Sequence, residues 1–142
     1  MKRCSQLRKL SVEHQAALSL AVRVKRAADS ASADDLKPWV VQIQERWWSE
    51  LLPHFQAEES KLIPALEAAG QADLVAQAIQ EHRAIEDLVF DSNLPCRTRL
   101  RRFADLLREH VRFEERILFE TAQTKLSQHE LDLIQAGLSD AP

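Results

Sequence analysis

Apolar residues recur every three or four positions along four long stretches of this chain, and this spacing constrains the fold more than any other feature. Such a period places the apolar side chains on one face of an α-helix. We therefore expect helices over approximately residues 5–28, 36–69, 72–90 and 97–125. With only 2 glycines and no tyrosine among 142 residues, the chain is unlike a sheet protein with many tight turns.

Short polar connections separate the four predicted helices, and short connections join antiparallel neighbours. We predict an all-α protein: an antiparallel up-down-up-down four-helix bundle that forms one domain over residues 1–142. Gly70 is a suitable end for the second helix. A short C-terminal helix over about 128–136 is expected to follow, with Ser127 as its N-cap.

Two prolines lie within the second predicted helix. A proline inside a helix removes one backbone hydrogen bond. We expect a kink at Pro53, one residue before His54, and we expect Pro64 to bend or end the helix.

Histidines and glutamates interrupt the apolar face of each predicted helix near its centre. In the first and third helices the stripes are Leu7, Leu10, His14, Ala17, Ala21, Val24 and Val75, Ala78, His82, Ile85, Val89. In the second and fourth they are Trp47, Leu51, His54, Glu58, Leu62 and Phe103, Leu107, His110, Glu114, Ile117. Each helix therefore contributes one interior histidine, and two helices add a glutamate one turn further on.

Two ionised carboxylates in one small core would be severely destabilising without compensating cations. No lysine or arginine occupies a matching interior position. Imidazole nitrogens together with carboxylate oxygens suit iron, manganese or zinc, so a metal site is the interpretation that this pattern favours.

The two halves of the chain also resemble each other around these residues. Glu13-His14-Gln15-Ala16 corresponds to Glu81-His82-Arg83-Ala84, and His54-x-x-x-Glu58-Glu59 corresponds to His110-x-x-x-Glu114-Glu115. The repeat predicts two metals, one bound by His14 and His54 and the other by His82 and His110, with Glu58 and Glu114 bridging both. Each metal then has four protein donors, which leaves positions for dioxygen, peroxide or nitric oxide.

These segments resemble the hemerythrin-like family, in the form called the HHE cation-binding domain. The resemblance rests on Ser11-Val12-Glu13-His14, the segment from His54 to Pro64, Glu81-His82, and the segment from His110 to Phe119. It implies a left-twisted four-helix bundle with an oxo- or hydroxo-bridged pair of iron ions, for which zinc or manganese can substitute. It also implies binding, sensing or reaction of small molecules such as O2, peroxide or NO; the alternative is an iron store or iron sensor without turnover. Whether the protein is an enzyme stays open.

The chain departs from the oxygen-carrying members of that family at two places. Those members have a fifth terminal histidine where this chain has Ala78, and their last carboxylate lies five residues after its histidine, whereas Glu114 lies four after His110. Glu86, one turn after His82, is the candidate for the missing donor, although Ile85 fits the inward stripe better. These differences favour redox reactivity, sensing or detoxification over reversible oxygen carriage.

Several further residues near these motifs have more ordinary interpretations. We expect Glu59, Glu115, Glu13 and Glu81 on the flank of the bundle facing solvent, with an outer hydrogen bond to a ligand histidine as the alternative. Trp47 is expected in the core, with a wall of the ligand pocket as the alternative. The basic run is expected to form a solvated face, with anion or partner binding as the alternative; it comprises Arg97, Arg99, Arg101, Arg102 and Arg108.

The bulk properties of the chain bear on its partners and location. A formal charge of −3 does not suggest a nucleic-acid surface, and no apolar run is long enough for a signal peptide or a membrane span. Two cysteines, Cys4 and Cys96, are too few for a secreted disulfide scaffold. We therefore expect a cytoplasmic protein without nucleic-acid or membrane partners. Trp39, Val40 or Trp48 can support a homodimer, and any signalling would require a separate partner.

Overall fold

The computed structural model describes residues 2–91 and 93–139, and in these ranges it contains helices and no strands, which confirms the predicted all-α class. Five helices follow one another, joined by short connections. They are α1 (Arg8–Ser30), α2 (37–68), α3 (Ala72–Phe90), α4 (96–125) and α5 (Gln128–Ser139). A 3-10 turn, Ser5–Leu7, precedes α1, and a second one, Ala33–Asp35, precedes α2.

The sequence signals at the helix ends act as expected at two positions. Gly70 follows α2 with φ of +83°, a left-handed conformation that side chains disfavour and glycine adopts freely. At the start of α5, the Ser127 hydroxyl accepts a hydrogen bond from the Glu130 amide at 3.1 Å, and the Glu130 carboxylate accepts one from the Ser127 amide at 3.0 Å. This reciprocal pair satisfies two amides that a helix start otherwise leaves unpaired.

Both α2 and α4 contain π-helical turns, which hold more residues per turn than the α-helix. They are Trp47–Leu51 and Glu58–Leu62 in α2 and Glu114–Leu118 in α4. Pro53 and Pro64 each lie in the first turn of the α-helical segment that follows one of the two π turns of α2. The helix therefore continues through both prolines to Ala68, and Pro64 does not end it.

The π turn in α4 also corrects one predicted position. Ile117 was expected to face inward, but 47% of its surface is exposed, and Leu118 and Phe119 are buried instead. A π turn adds a residue to the helix and so rotates everything after it, which moves the buried stripe forward by one position. The other predicted stripe residues are buried in all four helices.

The buried apolar residues form two clusters with the polar interior residues between them. One cluster includes Leu20, Val24, Ile43, Trp47 and Phe103, from the later part of α1 and the early parts of α2 and α4. The other combines Leu7, Leu10, Leu62, Val75 and Phe119 with Leu131, Ile134 and Leu138 of α5. The interior histidines and glutamates belong to neither cluster.

Pairs of helices pack closely along this core. The closest associations are those of α1 with α4 and of α3 with α4, while α5 packs on the 3-10 turn at the N-terminus and on the Glu58–Leu62 turn. The Lys9 ammonium donates to the Leu138 carbonyl at 3.1 Å, which ties α5 to α1. Within the described ranges, no helix is both long and apolar enough to cross a membrane.

Two arginines of α4 hold the ends of other helices, which corrects the expectation of a solvated basic face at these two positions, whereas Arg101, Arg102 and Arg108 are exposed as expected. Arg99 is 6% exposed and donates to the Leu88 carbonyl at 2.6 Å and to the Val89 carbonyl, near the end of α3. Arg97 donates to the carbonyls of Ala28 and Ala31, the latter at 2.9 Å. A cation near the C-terminus of a helix also interacts favourably with its dipole.

Candidate metal centre

Six polar side chains meet in the middle of the molecule, between the two apolar clusters. They are His14 of α1, His54 and Glu58 of α2, His82 of α3, and His110 and Glu114 of α4. All six are buried, and both carboxylates have no exposed surface. In α2 and α4 the four-residue spacing places the histidine and the glutamate on one helix face, as the sequence pattern predicted.

The ligand atoms of these side chains form two groups of four that share the two glutamates. One group is His14, His54, Glu58 and Glu114, and the other is Glu58, His82, His110 and Glu114. In each group one ligand atom per residue lies within 4.8 Å of all the others. This is the twofold arrangement predicted from the internal repeat.

Each shared carboxylate turns one oxygen towards each histidine pair. Glu58 Oε2 lies 3.2 Å from His54 Nε2, and its Oε1 lies 3.1 Å from His82 Nε2. Glu114 Oε1 lies 2.9 Å from His14 Nε2, and its Oε2 lies 3.3 Å from His110 Nε2. A carboxylate with this orientation can bridge two cations, one on each side.

Buried polar atoms that lack hydrogen bonds test whether a metal pair fits these residues. Both carboxylate oxygens of Glu58, Oε2 of Glu114, and Nε2 of His82 and of His110 are buried without a hydrogen-bond partner. Such atoms are rare in folded proteins, and a bound ion or an ordered water is the usual explanation for them. Two donors at right angles, each about 2.1 Å from one ion, would lie about 3.0 Å apart, close to the distances found here. The donor set therefore fits metal ions.

The electrostatics of the cluster also favour positive charge between the carboxylates. Burial alone would lower the pKa of His82 and of His110, but Glu58 and Glu114 outweigh it and raise these pKa values to about 9 and about 10. Burial would raise the pKa of Glu114, yet the nearby His110 holds it well below its usual range. Protons on the imidazoles and metal ions can both supply this positive charge, so they compete for the same histidine nitrogens.

A second layer of glutamates surrounds the centre. The outward nitrogen, Nδ1, of every site histidine lies at hydrogen-bond distance from a carboxylate on another helix. The pairs are His14 with Glu115 at 2.6 Å, His54 with Glu13 at 2.8 Å, His82 with Glu59 at 2.7 Å and His110 with Glu81 at 2.7 Å. The alternative for these four glutamates, an outer hydrogen bond to a ligand histidine, is therefore the one found.

The four pairs form a closed ring that follows the order of the helices. The outer glutamate of each helix contacts the site histidine of the next helix in the order α1, α2, α3, α4, and the outer glutamate of α4 contacts the site histidine of α1. Because an ionised carboxylate can only accept, each Nδ1 carries the proton. Each Nε2 is thereby left facing inward with its lone pair free for a metal, once the imidazole is neutral.

The ring is not uniform in its outer support. Glu115 also accepts hydrogen bonds from the Ser11 hydroxyl at 2.8 Å and, at 3.4 Å, from Arg3, which donates to the Glu115 carbonyl at 2.7 Å as well. Glu59 is paired with Arg83 at 3.3 Å. The N-terminal residues thus reinforce the position of His14. No sequence pattern pointed to Arg3, which lies eight residues before the first motif at Ser11.

Aromatic rings flank the histidines. The Phe55 ring is stacked on His82 with 4.0 Å between centroids, and the Phe119 ring is stacked on His14 with 5.2 Å. Trp47 packs on Phe55 within the core, as expected, and does not line the cavity that reaches the centre. The sequence reasoning assigned no role to Phe55 or Phe119, although both lie within the segments that carry the family resemblance.

Other residues singled out in the sequence lie outside the cluster. Glu86 is half-buried beside a separate surface depression and is absent from both groups of ligand atoms. Ala78 is fully buried among apolar residues, so it offers no donor. Trp39 and Val40 pack against the core, whereas Trp48 is 61% exposed.

Comparison with known proteins agrees with this geometry. No curated protein and no solved structure gave a significant match. A family model described as the hemerythrin HHE cation binding domain matches residues 5–122, which is most of the chain and includes all six residues of the cluster. The chain therefore belongs to the hemerythrin HHE cation-binding domain family.

Proposed function

We propose that this protein holds two iron ions and uses them to bind or react with dioxygen, peroxide or nitric oxide. In this proposal His14 and His54 bind one ion, His82 and His110 bind the other, and the two buried glutamates bridge them. The observation that supports this proposal most strongly is that two groups of four ligand atoms share the same two carboxylates. Imidazole and carboxylate ligands suit iron, manganese and zinc, and family membership favours iron, with the other two as substitutes.

The donor count supports a reactive centre. Four protein donors leave two positions of an octahedral ion open, and a bound iron pair would supply or accept electrons for a small oxygen or nitrogen ligand. The buried Ala78 provides no fifth histidine. A cavity that reaches His14 and His54 supports access of such a ligand from outside.

The chain's own groups have defined roles in this proposal. The outer glutamates hold the Nδ1 protons and fix the orientation of each imidazole, which keeps its Nε2 directed at the ion. Phe55 and Phe119 cover histidine faces and limit contact with water. Glu58 and Glu114 supply the negative charge that holds two cations close together.

We also infer that α1 to α4 form an antiparallel up-down-up-down bundle. In α1 and α3 the outer glutamate precedes the histidine by one residue, whereas in α2 and α4 it follows the bridging glutamate by one residue. Seen from one end of the bundle, successive residues turn clockwise in a helix that runs away from the viewer and anticlockwise in a helix that runs towards the viewer. Alternating directions would therefore let all four glutamates point the same way around the centre, as the closed ring requires.

Metal analysis with absorption spectroscopy tests the proposal directly. Protein loaded with ferrous iron without air should bind about two ions per chain. It should then develop near-ultraviolet oxo-iron bands when exposed to oxygen. His54→Ala should lower the iron content, while the exposed His129 replaced by alanine should leave it unchanged and serve as the matched control. Binding of fewer than about one and a half ions, or no such bands, would overturn the proposal.

The second candidate function is an iron store or iron sensor without turnover. The depth of the cluster supports it, because fully buried bridging carboxylates can hold ions that react little with solutes. It predicts two bound ions but no loss of peroxide from solution. A peroxide-decay assay on the iron-loaded protein therefore separates the two functions.

A further inference from the structure

A cavity of about 330 Å³ opens between α1 and α2 and extends to the candidate metal centre. His14, His54 and His110 form part of its inner surface. The cavity therefore connects solvent with the centre on the side of the His14 and His54 pair.

The cavity is much larger than a diatomic ligand or hydrogen peroxide needs. A water molecule takes about 30 Å³ in the liquid, and an engineered cavity of about 150 Å³ lined by apolar side chains stays dry and binds benzene. A volume of about 330 Å³ is therefore enough for an aromatic ring with short substituents. The size of the cavity therefore favours an organic ligand over a diatomic gas.

The walls and the two ends of the cavity differ in chemistry. Ala17, Leu107 and Val111 form apolar wall on one side, and Phe55 adds an aromatic surface. Charged side chains of Lys9 and Glu50, both exposed, lie among the lining residues at the outer end. The inner end carries the imidazoles of His14, His54 and His110. This distribution suits a molecule with an apolar body and one small polar group directed inward.

We propose that the cavity binds the organic part of an alkyl or arylalkyl hydroperoxide, with its –OOH group at the inner end. The inference rests on the proposed function and names the substrate class for it. Ala57 lines the cavity and is half-buried, so a larger side chain at this position would take up the space of the organic group.

The reaction is a two-electron reduction of the O–O bond. The hydroperoxide ROOH takes up two electrons and two protons, the O–O bond breaks, and the products are the alcohol ROH and one water. A reduced metal pair held by the six residues of the centre would supply these two electrons, one from each ion, and the protons would come from solvent through the open end of the cavity. One reduced pair supports one turnover, so no further reductant is needed for a single-turnover test.

The test compares peroxides of different size on the ferrous-loaded protein in single-turnover mixing. Cumene hydroperoxide and hydrogen peroxide are each mixed with wild type, Ala57→Leu and Ala65→Leu. Ala65 is the matched control because it is also half-buried in α2 but does not line the cavity. We expect Ala57→Leu to lower the ratio of the cumene hydroperoxide rate to the hydrogen peroxide rate by at least about tenfold, since small changes in an apolar pocket discriminate by about 10–200-fold. Ala65→Leu should leave this ratio as in wild type.

A second measurement does not depend on turnover. Zinc-loaded protein is titrated with 2-phenylpropan-2-ol, the alcohol product, and binding is followed by NMR. Saturable binding that Ala57→Leu weakens and Ala65→Leu does not would support the inference even if iron proved unreactive. A rate ratio that is equal in all three proteins, or no binding of the alcohol, would overturn it. Failure of both peroxides to oxidise the iron would instead reject the peroxide reaction within the proposed function, and the binding of the alcohol would still decide whether the cavity takes an organic ligand.

Discussion

The hydrogen bond between His14 and Glu115 should control the affinity of one metal position without affecting the other. Glu115→Gln keeps the shape of the side chain but removes its charge. The Nδ1 to Oε2 distance of 2.6 Å is that of a short, charge-assisted hydrogen bond. The substitution thus weakens the support of His14 while leaving its Nε2 in place.

The size of the effect follows from the type of hydrogen bond. A bond to a charged group contributes about 1.5–3 kcal/mol and one between neutral groups about 0.5–1.5 kcal/mol, so the change costs roughly 1–2 kcal/mol. At about 1.4 kcal/mol per factor of ten, this is roughly a five- to thirtyfold loss of affinity. That range overlaps the 10–100-fold losses usual when such outer partners of metal ligands are changed.

A chelator-competition titration with zinc measures the two binding steps separately. We expect one of the two binding steps to weaken in Glu115→Gln. One step should also weaken in Glu59→Gln, because the Glu59 carboxylate contacts His82. Both steps should weaken in the double variant. The control is Glu109→Gln, an exposed glutamate of the same helix as Glu115. Unchanged binding steps in Glu115→Gln, or an equal loss in the control, would refute the reasoning.

Three further predictions concern stability. The pKa of His110 is about 10 in the fold without a cation and about 6.5 in an unfolded chain, so its contribution to stability is complete below pH about 6.5 and disappears as the pH rises through about 10. Urea unfolding of metal-free protein should therefore show lower stability at pH 10 than at pH 6.5. Zinc affinity should rise from pH 6.5 to pH 10 because binding displaces protons. A stability and a zinc affinity that do not change with pH would contradict this prediction. Phe55→Ala should cost about 3–5 kcal/mol in denaturant unfolding because the ring is buried against a site histidine, whereas Phe90→Ala, at an exposed ring, should cost clearly less. Arg99→Met should lower the free energy of unfolding by about 1–3 kcal/mol because it leaves two carbonyls at the end of α3 without their donor. The control is Arg102→Met, at an exposed arginine of the same helix. Equal melting temperatures for the two variants would count against the prediction.

The helices and the inner cluster could be predicted from the sequence because both depend on periodicity. A histidine or glutamate that falls on an apolar stripe must lie inside if the stripe does, and this reasoning identified all six inner residues. The position of Ile117 was predicted wrongly, because a one-dimensional pattern assumes an unbroken α-helical period. The π turn at Glu114–Leu118 changes that period and moves the buried positions to Leu118 and Phe119.

The outer residues were harder to assign for a different reason. Glu13 and Glu59 lie beside the inner stripe, where side chains of a helix can face either solvent or a neighbouring helix. Only the distances between helices decide which, and the sequence does not contain them. The role of Arg99 was missed because a charged residue on a polar-looking face gives no indication that it reaches the end of another helix.

The position of the polar layer between two apolar clusters has a consequence for how the protein unfolds. Without metal, the layer joins the clusters through hydrogen bonds between acids and imidazoles, so we expect each cluster to lose its packing with limited effect on the other. Coordination of two ions by side chains from four helices would join the clusters into one cooperative unit. Calorimetry should then give a calorimetric enthalpy that exceeds the van't Hoff enthalpy for metal-free protein and equals it after metal loading. The metals would in this way determine whether the chain melts as two parts or as one.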